Sequence, residues 1–334
     1  MVERLKPSAN TAKDVAQRLL RHESAVLAII LAGLIAVMSV VTKGLSTSTT
    51  NMVNILIQNA PQGLASVGQA FVLLSGGIDV SLGGIATMSA VLGGALMTLS
   101  PERGIVSHPF SMYRGVPMML LAGAGWGLVN GSAVSRIGMP PLIVTLAMWQ
   151  ITRGVAVIVG RGTMLANFPD GLLFFGVGSI AGVPVPIIMF IVVAAIGYFV
   201  LNFTGFGRSI YAIGGNPVSA WLSGINLRRA RLLVYVISGF LAALAAVLSM
   251  GRVMSASTET LKGLEIDSIA AVTVGGLSIT GGKGSMIGVV LGVLIIAVVN
   301  NAMSILGANP ATQGIVTGAI IFAAVAIDLK RGVR

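Results

Sequence analysis

Residues 285–305 read Ser285-Met-Ile-Gly-Val-Val-Leu-Gly-Val-Leu-Ile-Ile-Ala-Val-Val-Asn-Asn-Ala-Met-Ser-Ile305, without one charged side chain. A helix of about 20 apolar residues spans the hydrocarbon core of a bilayer. Comparable apolar runs recur about ten times along the chain. They lie at about 25–42, 52–75, 81–99, 116–135, 141–160, 184–203, 231–250, 266–280, 285–305 and 311–328. The eighth run is short, and the sequence leaves open whether it crosses the membrane completely.

The composition of the whole chain agrees with this pattern. Of its 334 residues, 55% are apolar and 9% are charged, whereas a soluble domain carries roughly 25% charged residues. Too few charges are present to cover a water-facing surface, which excludes a soluble enzyme and a disordered protein. Transmembrane β-strands alternate apolar and polar residues, and these runs do not. We predict an all-α, polytopic membrane protein with about ten transmembrane helices.

The basic residues predict the orientation of these helices. The net charge of +11 fits the Lys and Arg excess of cytoplasmic loops better than nucleic-acid binding. With ten alternating spans and a cytoplasmic N-terminus, the cytoplasmic side receives about twice as many Lys and Arg residues as the other side. We therefore expect both termini in the cytoplasm. The predicted divisions are a cytoplasmic amphipathic segment at 1–24, a transmembrane domain at 25–329 and a cytoplasmic tail at 330–334.

Most of the chemistry that drives transport or catalysis is missing from the sequence. There are no cysteines, and the two histidines, His22 and His108, lie in polar flanks, so we expect no metal site and no cofactor. No carboxylate is placed with confidence at mid-membrane, where ion-coupled transporters keep one. Gly281-Gly-Lys283-Gly lacks the spacing and the Ser or Thr of a P-loop. We expect a non-enzymatic protein whose energy source, if it transports uphill, is another subunit.

Glycines mark two structural features. Glycines four residues apart recur at 123/127/131, 284/288/292 and 314/318, which indicates tight helix crossings. The segments Gly76-Gly-Ile-Asp-Val-Ser81 and Gly275-Gly-Leu-Ser-Ile-Thr280 follow similar apolar runs. Their similarity suggests an internal duplication.

The loop at 204–230 is the most polar stretch after the N-terminus. Gly214-Gly215 breaks the preceding element, and Asn216-Pro217 suits the cap and first position of a new helix. Gly224 suits its C-terminal stop. The sequence predicts a short helix over 218–223 at the cytoplasmic surface. Its Trp221-Leu222 pair would face the membrane or a partner.

This loop also carries a resemblance to a known family. Gly207-Arg208-Ser-Ile-Tyr211-Ala-Ile-Gly-Gly-Asn216 through Leu222-Ser-Gly-Ile225 resembles the cytoplasmic coupling loop of ABC-importer permeases of the ribose/xylose type. Further segments at about 50–330 resemble the same family in its order. They are Leu74-Ser-Gly-Gly-Ile-Asp79-Val-Ser81-Leu-Gly83, Pro140-Pro-Leu-Ile-Val-Thr145-Leu with Thr152-Arg153-Gly154, Asp267-Ser-Ile-Ala-Ala-Val-Thr-Val-Gly-Gly276, and Gly281-Gly-Lys283-Gly284.

The resemblance implies a multi-pass permease subunit of a monosaccharide importer in the bacterial inner membrane, surrounded by lipid. It implies three kinds of partner: a second permease subunit, ATP-binding subunits and a periplasmic sugar-binding protein. The second permease subunit is expected to be an identical copy, and a paralogue is the alternative. The implied ATPase-coupling residues are Arg208, Gly214, Gly215, Asn216, Pro217, Trp221, Leu222, Gly224 and Ile225. Val218-Ser-Ala-Trp221 departs from the family by lacking an acidic residue and an Arg, so apolar docking by Trp221 and Leu222 is expected.

Polar residues within the spans supply the other candidate sites. Amides suit sugar hydroxyls, but interhelical hydrogen bonding is an equally ordinary role for them. The candidate pathway residues are Gln58, Asn59, Gln62, Asn300 and Asn301. Asp79 and Ser81 are expected to cap the third span or to act as a gate or ATPase contact. Arg153 is expected to extend to the outer interface or to pair with an acid such as Asp267.

Other functions remain open at this stage. The chain fits a permease for a branched-chain amino acid or a nucleoside, or an ion-coupled secondary transporter. If the protein is a secondary transporter, uptake does not depend on the ATPase and is abolished by an ionophore. A membrane enzyme or scaffold predicts no flux in vesicles, and the sequence lacks the catalytic pair that an enzyme needs.

Overall fold

The computed structural model describes residues 23–100 and 102–332, and most of them are helical. The segment predicted at 1–24 lies almost wholly outside the described residues, as do residues 333–334 of the predicted tail. The helices are α1 (Glu23–Val41), α2 (Thr49–Leu74), α3 (Leu82–Met97), α4 (Met112–Ser132), α5 (Pro141–Gly160), α6 (Leu173–Val177), α7 (Val185–Phe203), α8 (Gly205–Gly215), α9 (Pro217–Leu222), α10 (Leu227–Val253), α11 (Leu264–Val274), α12 (Met286–Ile305) and α13 (Pro310–Gly332).

The all-α membrane class is confirmed in outline. In the described part of the chain, five helices are long and apolar enough to cross a membrane, namely α1, α5, α7, α10 and α12. The helix α2 is 26 residues long, but Pro61 and its amides make it less apolar. The helix α11, within the eighth predicted run, has 11 residues. At 1.5 Å per residue it is about 16 Å long, which is too short to span the core by itself.

Four two-residue strands join loops between the helices. β1 (Leu165–Ala166) pairs antiparallel with β4 (Ser255–Ala256), and β2 (Ser179–Ile180) pairs with β3 (Val183–Pro184). The β1–β4 pair ties together the chain after α5 and the chain after α10, which defines one end of the helix bundle. We call it the β1–β4 end.

The core lies where α10 packs against α2, α3 and α4. Glycines allow α4 and α10 to touch through their backbones, since a Cβ on Gly123 would overlap the Gly239 carbonyl oxygen. Gly288 and Gly292 of α12 meet α11 in the same way. The tight crossings predicted for these two sets are therefore confirmed. The third prediction is wrong, because Gly314 and Gly318 have open space around them among the described residues.

The helices α2 and α11 end in the same type of backbone turn. Superposing the two turns shifts the alignment of their sequences by one residue. Gly76 and Gly276 both have a left-handed φ, 79° and 84°. The following amides, of Gly77 and Leu277, each donate to a carbonyl five residues back at 3.1 Å, which is a Schellman turn. The structural counterpart of Gly76 is Gly276, whereas the sequence motif aligns it with Gly275.

These two turns lie at the end of the bundle opposite β1–β4. The Gly282 amide donates to the Leu74 carbonyl at 3.0 Å. A Cβ on Gly281 would lie 2.8 Å from the Gly76 Cα and 3.1 Å from the Gly214 Cα. We call Leu74, Gly76, Gly214, Gly281 and Gly282 the glycine junction. It joins the end of α2, the end of α8 and the loop after α11 through backbone contacts.

Candidate functional site

The helix α9 begins and ends at the residues that its sequence predicts, within one position. Asn216 caps it by accepting a hydrogen bond from the Ser219 amide at 3.0 Å, and Pro217 takes the first position. Gly224 has a φ of +81°. The Ile225 amide then donates to the Ala220 carbonyl at 3.1 Å and closes the turn. The predicted short helix is confirmed.

One face of α9 is apolar and exposed. Trp221 is 65% exposed and Leu222 is 73% exposed, while Ala220 packs into a small core with Ile213 and Ala230. A cleft of about 520 Å³ lies beside the helix, with Trp221 on one wall and Arg228 and Arg231 on its rim. Exposed aromatic and basic groups of this kind are typical of protein interfaces.

The preceding helix, α8, fixes α9 to the bundle. Gly214 lies in the glycine junction, and Asn216 alone separates α8 from α9. The Tyr211 hydroxyl donates to the Gly284 carbonyl at 2.9 Å. Burial raises the pKa of the Tyr211 hydroxyl. The hydroxyl therefore stays protonated and donates this hydrogen bond. Arg208 and Gly215 have little around them: Arg208 is exposed, and a Cβ on Gly215 would meet no described atom within 4 Å.

Asp79 and Ser81 lie in a buried polar network between helices. Asp79 accepts hydrogen bonds from the Ser81 amide at 3.0 Å, the Ser81 hydroxyl at 2.6 Å and the Ser238 hydroxyl at 2.7 Å. The Asn130 amide donates to the Ser81 oxygen at 2.7 Å. Ser81 occupies the N-cap position of α3, but its side chain makes no capping hydrogen bond. The cap expected from Ser81 is replaced by a network that connects α3, α4 and α10.

We expect Asp79→Ala to lower the free energy of unfolding by about 3 kcal/mol, because it leaves several buried donors without an acceptor. The unfolding midpoint of the purified protein in detergent measures this loss. Glu102→Ala is the control, since the Glu102 side chain is 69% exposed. Equal midpoints for the two variants would contradict the structural role given to the network.

The five candidate pathway amides do not form one cluster. Asn59 donates to the Ile55 carbonyl of its own helix at 2.8 Å, and Gln62 donates to the Asp267 carbonyl at 3.1 Å. Asn301 exchanges hydrogen bonds with Asn51, at 2.9 and 3.1 Å. The buried Asn300 Oδ1 has no partner within the described residues. Gln58 is the exposed member of the set.

The structure contains a further polar cluster that the sequence did not predict. Arg153 lies over the Trp149 ring at 5.1 Å, and its Nη2 lies 3.9 Å from Glu259 Oε1. Lys262 Nζ donates to Glu259 at 2.8 Å, and Trp149 Nε1 donates to Glu265 Oε1 at 3.1 Å. We call these five residues the Arg153 cluster. Arg153 therefore pairs with Glu259, and the pairing suggested with Asp267 is wrong. Two acidic residues at the start of the eighth apolar run, Glu265 and Asp267, are the sequence feature that indicates a polar cluster here.

Comparison with known proteins identifies the family of the chain. Residues 51–325 match the family described as branched-chain amino acid transport system / permease component. The chain is 34% identical to the ribose import permease protein RbsC of Haemophilus influenzae, over 85% of this chain and 86% of the relative. It is 36% identical to the D-allose transport system permease protein AlsC of Escherichia coli, over 90% and 89%. The fructose import permease protein FrcC of Rhizobium meliloti is 34% identical over 78% and 72%.

No solved structure matches the chain. The family match covers most of the sequence, and the relatives align along most of their own length. The chain belongs to the branched-chain amino acid transport system / permease family.

Proposed function

We propose that this protein is the permease subunit of an ATP-driven monosaccharide importer in the bacterial inner membrane. The relatives named above are permeases for ribose, D-allose and fructose, which favours a sugar over an amino acid. The observation that carries the proposal is the capped helix α9, on which Trp221 and Leu222 are exposed. A chain without a P-loop needs such a surface, because its energy comes from a separate ATPase.

The proposed orientation has ten crossings and both termini in the cytoplasm. The α9 end then faces the cytoplasm, where Arg208, Arg228 and Arg229 agree with the distribution of basic residues in membrane proteins. The β1–β4 end faces the periplasm and receives sugar from a binding protein. A second permease subunit, identical to this one, completes the pathway.

The geometry suggests how ATP binding is coupled to movement of the transmembrane helices. Closure of the ATPase subunits moves α9, and α9 is joined to α8 by one residue. Gly214 of α8 touches backbone atoms of Leu74 and Gly282, so displacement of α8 is passed to the ends of α2 and of the loop after α11. Movement of these elements opens the pathway to one side of the membrane at a time.

Reconstitution tests the proposal. The permease, its ATPase and its binding protein are placed in liposomes, and uptake of labelled ribose, allose and fructose is measured. We expect uphill uptake that requires ATP hydrolysis and is unaffected by an ionophore. Uptake without the ATPase, or uptake that an ionophore abolishes, would overturn the proposal in favour of secondary transport. Leucine and a nucleoside serve as alternative substrates in the same assay.

Two adjacent amides provide a matched test of the pathway through α2. Gln58 is exposed, whereas the Asn59 side chain is bonded to its own helix. We expect Gln58→Ala to lower sugar uptake about fivefold through loss of a hydrogen bond to solute, about 1 kcal/mol. Asn59→Ala is expected to leave uptake unchanged. Equal uptake by both variants and the unmodified protein would remove Gln58 from the pathway.

A further inference from the structure

The Arg153 cluster places exposed charges far from either end of the helix bundle. The side chains of Glu259 and Lys262 are 62% and 56% exposed, and that of Arg153 is 25% exposed. The chain from 257 to 263 follows β4, which lies at the β1–β4 end. It then descends along α3, where the Thr260 carbonyl accepts a hydrogen bond from the Thr87 hydroxyl at 2.7 Å.

The packing of α3 on α5 gives the depth of the cluster. A Cβ on Gly84, near the start of α3, would lie 3.0 Å from the Trp149 carbonyl oxygen. The start of α3 therefore lies beside the middle of α5. Arg153 is about 18 Å from one end of α5 and about 10 Å from the other, at 1.5 Å per residue. In a hydrocarbon core about 30 Å thick, the cluster lies near mid-membrane, and Glu265 is a carboxylate at this depth.

Exposed charges at this depth do not face lipid. Ionisable side chains within membrane proteins almost always face the bundle interior or a water-filled cavity, because hydrocarbon does not solvate charge. The most exposed apolar residue of α5, Ile158 at 77%, lies on a different part of the helix surface, while Val157, one turn from Arg153, is 49% exposed. Arg153 turns toward Glu259. Charged side chains that stay exposed at this depth require water or another polar surface around them.

The chemistry of the cluster suits a neutral, hydroxyl-rich solute. The exposed Glu259 carboxylate accepts hydrogen bonds, while Arg153 and Lys262 donate them. A sugar hydroxyl does both, so neighbouring hydroxyls can bridge the two kinds of group. The exposed surface thus carries both donors and an acceptor, as a hydroxyl-bearing solute requires. The Trp149 indole adds an apolar ring next to them. Glu265 is buried, with 6% of its surface exposed, and holds the Trp149 indole in place.

We propose that the Arg153 cluster lines a water-filled translocation pathway and contacts the hydroxyls of the sugar as it passes. The proposal rests on the proposed function, and it adds a mid-membrane solute site to it. Glu259 pairs with Arg153 and Lys262 when no sugar is present, and the sugar exchanges its hydrogen bonds with these three groups in passing.

The absence of cysteine from the chain makes thiol labelling a direct test. Lys262→Cys introduces a single thiol into the permease, and Glu259→Cys is a second such variant. The complex in liposomes is treated with a charged, membrane-impermeant methanethiosulfonate. We expect labelling at least about tenfold faster than for Ile158→Cys, because the reacting thiolate needs water and is disfavoured in hydrocarbon. Saturating sugar and binding protein, with ATP, are expected to slow it.

The outcomes separate this proposal from the proposed function. If the unmodified complex imports sugar but neither thiol is labelled, the cluster is covered by lipid or by the second permease subunit, and the proposal is overturned. Labelling that sugar does not slow would overturn the solute contact. Labelling that sugar slows at both positions, but not at a thiol placed by Val253→Cys at the β1–β4 end, supports it. Failure of the unmodified complex to import sugar contradicts the proposed function alone.

Discussion

Gly214→Ala is expected to lower the free energy of unfolding by about 3 kcal/mol, the upper part of the usual range for overpacking. A Cβ at this position would overlap the Leu74 carbonyl oxygen and the Gly282 amide nitrogen. Both are backbone atoms, and the Gly282 amide donates a hydrogen bond to the Leu74 carbonyl oxygen at 3.0 Å. They can move aside only if α2 or the loop after α11 also moves. The unfolding midpoint in detergent measures the effect.

The neighbouring residue is the matched control. A Cβ on Gly215 would meet no described atom within 4 Å, and alanine favours a helix over glycine by up to about 1 kcal/mol. We expect Gly215→Ala to leave the unfolding midpoint unchanged or to raise it. If both variants unfold at the same midpoint as the unmodified protein, the close contact at the glycine junction is not present in solution.

The double substitution Trp221→Ala and Leu222→Ala is expected to release the ATPase subunit. Loss of a buried Trp at the centre of an interface typically costs about 2 kcal/mol, and loss of a Leu costs about 1 kcal/mol. A combined loss of about 3 kcal/mol weakens binding roughly a hundredfold. Co-purification of the ATPase with the permease, and ATP-dependent uptake in liposomes, are the measurements.

Folding of the double variant is expected to be normal, because both side chains are exposed and neither belongs to the core around Ile213. Ile180→Ala, which shortens a side chain that is 52% exposed on strand β2, is the control. Retention of the ATPase by the double variant would show that α9 is not its docking surface. Loss of the ATPase with Ile180→Ala would show that the assay reports general damage.

Local signals in the sequence predict the helices and their ends well. The apolar runs give the membrane class, and Asn216, Pro217 and Gly224 place α9 within one residue. These features depend on neighbouring residues, which the sequence displays directly. The eighth run was harder, because Leu277 continues its apolar character past the end of α11. The turn at Gly276, with a φ of 84°, ends the helix where hydropathy alone does not.

Contacts between distant residues were not predictable in this way. Asp79 and Ser81 have the composition of a local cap, and their hydrogen-bond partners Asn130 and Ser238 lie 49 residues from Ser81 and 159 residues from Asp79. The descent of the chain after β4 brings Glu259 to Arg153, and no periodicity signals that descent. Hydropathy alone places Glu259 only in the connection between the seventh and eighth apolar runs.

The glycine junction separates two requirements that a transporter has to meet. Its contacts are made by peptide groups, which every residue possesses, and they demand only that no side chain intervene. Substitutions that retune the choice of cargo elsewhere in the bundle leave these contacts unchanged. A change in cargo selectivity therefore does not require new contacts at the glycine junction.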